Sequence, residues 1–260
     1  MSHDPQAGRV LLVGAGPGPV DLMTVRAARA VQNAEALLYD ALISQEAIAL
    51  APPGCIRIQT GKRSGRASMK QQTINQLMLR LARRGLRVVR LKGGDPSVFG
   101  RVGEESDFLV GHGIPVEVVP GVTAACAAAA QFGFPLTHRA EARRVVFTTA
   151  RLEAGVVNTD WSAAADPQAT MAVYMGSEVV SGLCQKMIAA GCAPTTPALA
   201  IEQAGSIAAR LYPGTLETLS NQLATAGSGP ILIVIGAVAA RATIGKAGQQ
   251  AEPVPLRASA

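Results

Sequence analysis

The chain has 260 residues, 48% of them apolar and 16% charged, which excludes a disordered linker and leaves room for one large domain or two smaller ones. Its net charge of +6 comes from arginines spread along the chain rather than from a basic block, and only 3% of residues are aromatic. That combination speaks against stacking-based recognition of single-stranded nucleic acid and fits a pocket for an acidic small molecule.

Residues 1–9, MSHDPQAGR, are polar and read as a disordered leader. No apolar stretch reaches signal or membrane-spanning length, so a soluble, cytoplasmic protein with no membrane partner is expected. Residues 10–14 form a first strand, 22–34 a helix, 36–39 a second strand ending at Asp40, and 56–59 a third running into GKRSGR. The spacing of Ile74, Leu77, Met78 and Leu81 predicts a helix over 70–84, stopped by Gly85. A fourth strand follows at 87–91, a helix at 104–111, a fifth strand at 116–119 and an alanine-rich helix at 123–131. Alternation of strand and helix makes this half a mostly parallel α/β sheet.

Composition changes around 137–144, THRAEARR, where a domain boundary is expected. Strand-like runs resume at 145–149, 170–174, 198–201 and 231–235, with a helix over 177–190. The expected layout is a leader (1–9), an N-terminal α/β domain (10–136), a C-terminal α/β domain (137–240) and a flexible tail (241–260). Cys55, Cys126, Cys184 and Cys192 form no CxxC and three histidines accompany them, so no metal site and a reducing compartment are expected.

Two glycine-rich loops follow strands. GAGPG at 14–18 sits where a dinucleotide fingerprint would, but Pro19 stands in place of its third glycine and only Asp40 offers a distant ribose acid. It is not a phosphate-binding P-loop, since no G-K-[ST] closes it. The second loop lies in VVRLKGGDPSVFGRVGEE, residues 88–105. In a parallel sheet the C-terminal ends of strands are where ligands bind. Gly93 and Gly94 free the backbone for close approach by a flat adenosine or an amino-acid moiety, Asp95 is placed to cap a turn or accept from a ligand, and Arg101 and Glu104 share one helical face. Asp40, Lys62, Arg63 and Arg139 occupy comparable strand-end positions, and arginine is the best-suited ligand for substrate carboxylates. The helix start at Thr123 and Ala124 presents free N–H groups, and Met175 ends a strand as either a core residue or a soft contact.

These pieces together resemble the uroporphyrinogen-III C-methyltransferases of the tetrapyrrole methylase family. The resemblance rests on VLLVGAGPGPVDLMT, YDALIS, GKRSG, RLKGGDPSVFGRVGEE, PGVTAACAAAAQFGFPLTHR, VYMG and GPILIVIG, and spans roughly residues 10–240. RLKGGDP and PLTHR are the segments most specific to that branch. The resemblance implies two α/β domains with an S-adenosyl-L-methionine site in the cleft between them, S-adenosyl-L-homocysteine as product, and a homodimer. It places cofactor contacts on Pro17, Gly93, Gly94, Asp95, Val98, Thr123, Ala124, Met175 and Ala204. It places the proton acceptor on Asp40, the proton donor on Lys62, further catalytic roles on Arg101 and Glu104, and substrate carboxylates on Arg63 and Arg139. Three positions depart from the usual pattern: Ala67 stands where histidine is common, and Val102 and Ala204 stand where glycine is common.

The implied reaction methylates a porphyrinogen at C2 and then C7, converting uroporphyrinogen III to precorrin-2 by way of precorrin-1. Its eight carboxylates match the chain's positive charge. The methylated pyrrole is a cation that must lose a proton, and Asp40 or Glu104 suits that step better than Arg101, whose guanidinium is a poor base. A methylase acting on a later precorrin, an rRNA or diphthamide methyltransferase of the same fold, and a non-enzymatic nucleotide-sensing module are the alternatives. RLKGGDP and PLTHR argue against the first, scarce aromatics and the missing basic block against RNA, and the nearly complete cofactor motif against the last.

Overall fold

The computed structural model describes residues 8–61, 69–150, 165–176 and 180–243. The chain forms two compact units, residues 1–123 and 124–260. The first contains β1 (Val10–Gly14), α1 (Val25–Gln32), β2 (Ala36–Tyr39), α2 (Gln45–Ala49), β3 (Ile56–Gln59), α3 (Gln71–Arg83), β4 (Val88–Lys92), α4 (Val102–Gly111) and β5 (Val116–Val119). Its strands pair in the order β3-β2-β4-β1-β5, and every pairing is parallel.

Side-chain alternation along the strands divides the core into two layers. Leu11, Val13, Leu37 and Leu91 face α1 and α2, where Ala27, Val31 and Ile48 cover them. Val10, Leu12, Leu38 and Val88 face the other way, onto Ile74, Met78 and Leu81 of α3 and Leu109 of α4. A sheet covered on both faces explains why β1 reads as an unbroken apolar run. Helix α1 starts later than residue 22, because the hydroxyl of Thr24 accepts from Ala27 N at 3.1 Å and fixes the cap there. At the end of α3, Gly85 takes a positive φ and its N–H bonds the Ala82 carbonyl at 2.8 Å, the stop expected of a glycine there.

The second unit contains α5 (Ala124–Gln131), β6 (Arg144–Thr149), β7 (Ala169–Tyr174), α6 (Val180–Ala189), β8 (Pro197–Glu202), β9 (Arg210–Thr215), α7 (Leu219–Gln222) and β10 (Ile231–Ile235). Its sheet has the order β6-β7-β10-β8-β9 and is mixed: only β6 and β7 pair in parallel. Leu183, Cys184 and Met187 of α6 pack on Met171, Val173, Ile233 and Ile235. On the other face, Ala125 and Ala128 of α5 pack with Phe132, Phe134, Ile201, Leu232 and Val234.

That packing accounts for the position of the division. The break follows Thr123, ahead of the 136/137 boundary expected from composition, because α5 spends its apolar face on the second sheet. Arg9 already runs beside β4, its carbonyl accepting from Val88 N at 3.2 Å, and Thr243 N donates to the Phe132 carbonyl at 2.9 Å. The rest of the expected leader and tail, residues 1–7 and 244–260, lies outside the described residues. Strand β9 was not among the expected strands, and it contains Pro213 and Gly214. It lies at the sheet edge, where a missing N–H is tolerated. Among the described residues, no helix is long and apolar enough to cross a membrane.

Candidate active site

Because the first sheet is all parallel, its strands end along one edge, and Gly14, Asp40, Thr60, Gly93 and Pro120 all follow or close strand ends there. The loops after β1, β4 and β5 are locked together through glycines. Gly16 and Gly94 exchange two backbone hydrogen bonds, Gly94 N to Gly16 O at 2.7 Å and Gly16 N to Gly94 O at 3.2 Å. A Cβ on Gly14 would stand 2.7 Å from both Gly121 N and Gly94 O, and one on Gly121 would stand 2.9 Å from Gly14 Cα. Gly14 and Gly121 are therefore needed for backbone contact between strand ends, and Gly94 for its left-handed φ of 67°, a role that reading Gly94 as a ligand contact alone would miss.

Gly93 differs. It is exposed, its φ lies outside the left-handed region, and a Cβ built on it meets no protein atom within 4 Å. It is an open stretch of backbone on a rigid edge. Asp95 serves the loop itself: Oδ1 accepts from Ser97 N at 2.8 Å and Oδ2 from Gly121 N at 3.0 Å, tying the β4 loop to the β5 loop. Pro17 and Val98 are half-buried on the same loops, and Thr123 is buried after the β5 turn.

Arg101 and Glu104 form a bidentate pair, Nε to Oε1 at 2.8 Å and an Nη to Oε2 at 2.6 Å, with side chains 43% and 57% exposed. Hydrogen bonding to Arg101 holds the Glu104 carboxyl below its ordinary value. Arg101 itself is not helical: at φ 57° it sits in the left-handed region just ahead of α4, and Phe99 has φ 54°. Two non-glycine residues in that region within three positions mark a strained loop, and such strain gathers at ligand sites.

Asp40, half-buried at the end of β2, faces a network that sequence reasoning missed. An Nη of Arg90 bonds Asp40 Oδ1 at 2.5 Å, and the buried Thr60 hydroxyl reaches the same oxygen at 3.1 Å. Arg90 Nε lies 3.3 Å from Glu105 Oε1, and Lys92 Nζ lies 3.0 and 2.9 Å from the two Glu105 oxygens. Gln71 Nε2 donates to Glu105 Oε1 at 3.0 Å and to Asn75 Oδ1 at 3.0 Å. Burial, reinforced by Arg90, pushes the Lys92 ammonium below its ordinary range despite the opposing pull of Glu105. A signal for this cluster was present: Arg90 and Lys92 alternate on a central strand with apolar neighbours, and two cations on a buried strand face require acids opposite them.

In the second unit, β7 and β8 both run antiparallel to β10, so Met175 and Ala204, which follow their C-terminal ends, share one edge of that sheet. The Tyr174 hydroxyl accepts from Ala125 N at 3.2 Å, which brings the start of α5, with Ala124, to the end of β7. Gln131 at the other end of α5 clamps the turn after Ala204, accepting from Gly205 N and donating to Ser206 O, each at 2.9 Å. Met175 is no core residue: it is 43% exposed with φ 56°. Arg139 is exposed in the turn between His138 and Ala142. Lys62, Arg63 and Ala67 lie outside the described residues. Among the described residues, no three His, Cys, Asp or Glu side chains are grouped to hold a metal ion.

Comparison with known proteins follows the same lines. The family model for Tetrapyrrole (Corrin/Porphyrin) Methylases matches residues 9–220. Siroheme synthases of Nitrosospira multiformis and Methylococcus capsulatus are 46% and 47% identical over 238 and 236 residues, covering 91% and 90% of this chain and 50% of each relative. The chain thus spans about half the length of the curated relatives it matches. A uroporphyrin-III C-methyl transferase from Thermus thermophilus, solved in complex with S-adenyl homocysteine, is similar with a TM-score of 0.78 at 39% identity, covering 90% of this chain and 99% of that one. A cobalt precorrin-4 methyltransferase is similar with a TM-score of 0.79 at 30% identity, covering 88% and 95%. A diphthine synthase at 17% identity and TM-score 0.61 shares the fold alone. With its parallel first sheet, its glycine-locked strand ends and a family match across most of its length, the chain belongs to the tetrapyrrole methylase family.

Proposed function

We propose that the chain is an S-adenosyl-L-methionine-dependent C-methyltransferase that converts uroporphyrinogen III to precorrin-2 by way of precorrin-1, feeding sirohaem or cobalamin formation. The observation that carries this reading is the likeness to the Thermus enzyme, which extends over 99% of that chain at 39% identity. The first unit's strand edge fits the cofactor, because Gly93 leaves open backbone where a side chain would intrude. Pro17, Gly93, Gly94, Val98 and Thr123 would hold it, and Asp95 keeps the loop in shape. When bound, it supplies an electrophilic methyl group carried on a sulfonium.

The protein's own work is alignment and charge handling. Asp40 takes the proton that the methylated pyrrole must lose, with Arg90 and Thr60 fixing the carboxylate. Glu104 fits that role less well, since Arg101 occupies both of its oxygens and lowers its basicity. Arg101 instead exchanges Glu104 for a substrate carboxylate, donating to either in the same bidentate geometry. Lys62 is assigned the proton-donor role and Arg63 a substrate carboxylate. A labelled methyl-transfer assay offering anaerobic uroporphyrinogen III and precorrin-2 as competing acceptors tests the reading. Labelled mono- and dimethylated products (precorrin-1 and precorrin-2) support it, and label found only in a trimethylated product moves the enzyme to a later step.

A further inference from the structure

The Asp40 carboxylate ends a chain of contacts that runs inward to a carboxylate the proposed reaction does not use. Glu105 is completely buried, and three donors converge on it: Lys92, Gln71 and Arg90. Arg90 is itself 3% exposed and holds Glu105 with Nε and Asp40 with an Nη. Asp40, with a side chain 35% exposed, is the most exposed of the four charged groups.

Charge makes the arrangement interdependent. Two buried cations, Arg90 and Lys92, stand against two carboxylates, Glu105 and Asp40, and each cation would be costly without its partner. Glu105 takes both contacts of Lys92 and one of Arg90, so the Arg90 fork is turned with an Nη toward the strand edge. A guanidinium is planar and its donors keep fixed angles, so fixing Nε fixes the direction of the Nη groups.

We propose that Glu105 is a positioning residue for the methyl-transfer reaction: through Arg90 it fixes the orientation of the Asp40 carboxylate at the substrate. Gln71 and Lys92 hold Glu105 in turn, which ties α3 and β4 to the geometry of a group at the end of β2. This rests on the reading of Asp40 as the proton acceptor, and the test separates the two.

The test is steady-state methyl transfer by the full chain, with S-adenosyl-L-homocysteine affinity from calorimetry and unfolding by heat. Glu105→Asp keeps the charge balance and withdraws the carboxylate from Arg90 by one methylene. Glu105→Gln keeps the shape and removes the charge. The expected result is a kcat about 10- to 100-fold lower for both, the scale of a misplacement near 1 Å, with KM and cofactor affinity within about threefold of the parent. Both changes are then repeated in an Asp40→Asn background, where they should cost nothing further. If Glu105→Gln does not fold, Glu105→Asp carries the comparison alone. A parental kcat in a folded Glu105→Asp variant overturns the positioning role, as does a loss that persists undiminished on Asp40→Asn. A parental kcat in Asp40→Asn by itself overturns the Asp40 reading, and with it the reason for the relay.

Discussion

Replacing Gly93 by alanine separates a glycine needed for binding from glycines needed for folding. The added methyl meets no protein atom within 4 Å, and the backbone there is not left-handed. A Gly→Ala change at such a site stabilises by about 0.4–1 kcal/mol through the unfolded chain. At about 2–4 °C per kcal/mol, the melting temperature should stay level or rise by a few degrees. The same methyl protrudes from the backbone on which the cofactor is proposed to lie, so affinity for S-adenosyl-L-homocysteine should fall about 10- to 100-fold, or roughly 1.4–2.7 kcal/mol. Gly121→Ala is the opposing control: its methyl would press on Gly14 Cα at 2.9 Å and on the Gly94 carbonyl, and overpacking of that kind costs about 1–3 kcal/mol or more. Calorimetric titration and thermal unfolding of both variants decide the matter. A Gly93→Ala protein that melts normally and binds the cofactor with parental affinity would refute the placement of the cofactor on this loop.

Arg101→Ala should leave melting at neutral pH unresolved from the parent, since the Arg101–Glu104 pair is exposed. It should raise KM for the tetrapyrrole about tenfold or more, the worth of one charged hydrogen bond. Because Glu104 titrates below its ordinary value in the fold, whatever the pair contributes is present above the unfolded carboxylate range and vanishes as pH falls through the folded value. Arg101→Ala should therefore show no stability deficit against the parent anywhere from neutral pH into acid, read by melting against pH, and a deficit confined to neutral pH would contradict the exposed-pair reading. Lys92 titrates below its ordinary value of 10.5, so in the window between its folded and unfolded values the unfolded chain holds more protons and stability rises with pH. Lys92→Met should flatten that alkaline rise in urea unfolding, and an unchanged slope would count against a lysine whose titration burial has lowered. Tyr174→Phe removes the hydroxyl that accepts from Ala125 N and should cost about 0.5–1.5 kcal/mol in unfolding.

The alternation of strand and helix, the caps at Gly85 and the loops after β1 and β4 were all legible from residue pattern, because local chemistry decides them. What escaped depended on contacts distant in sequence. Helix α5 follows a five-stranded sheet yet belongs with the next one, and nothing within AACAAAAQ says which sheet its alanines will meet. The acid pair Glu104-Glu105 was read for its exposed member, whereas a one-residue step around α4 buries the other completely. Asp95 was read as a turn cap or a ligand contact; its bond from Ser97 N is that cap, and the second, from Gly121 N, braces a neighbouring loop that only the folded register brings near. Met175 was open between core and contact, and its 43% exposure decides against the core.

The central claim is tested most directly by incubating the protein anaerobically with uroporphyrinogen III and S-adenosyl-L-methionine and weighing the product by mass spectrometry. The account predicts a product carrying two added methyl groups, with a singly methylated species appearing first. A substrate returned unmodified by a protein that still binds S-adenosyl-L-homocysteine would contradict it.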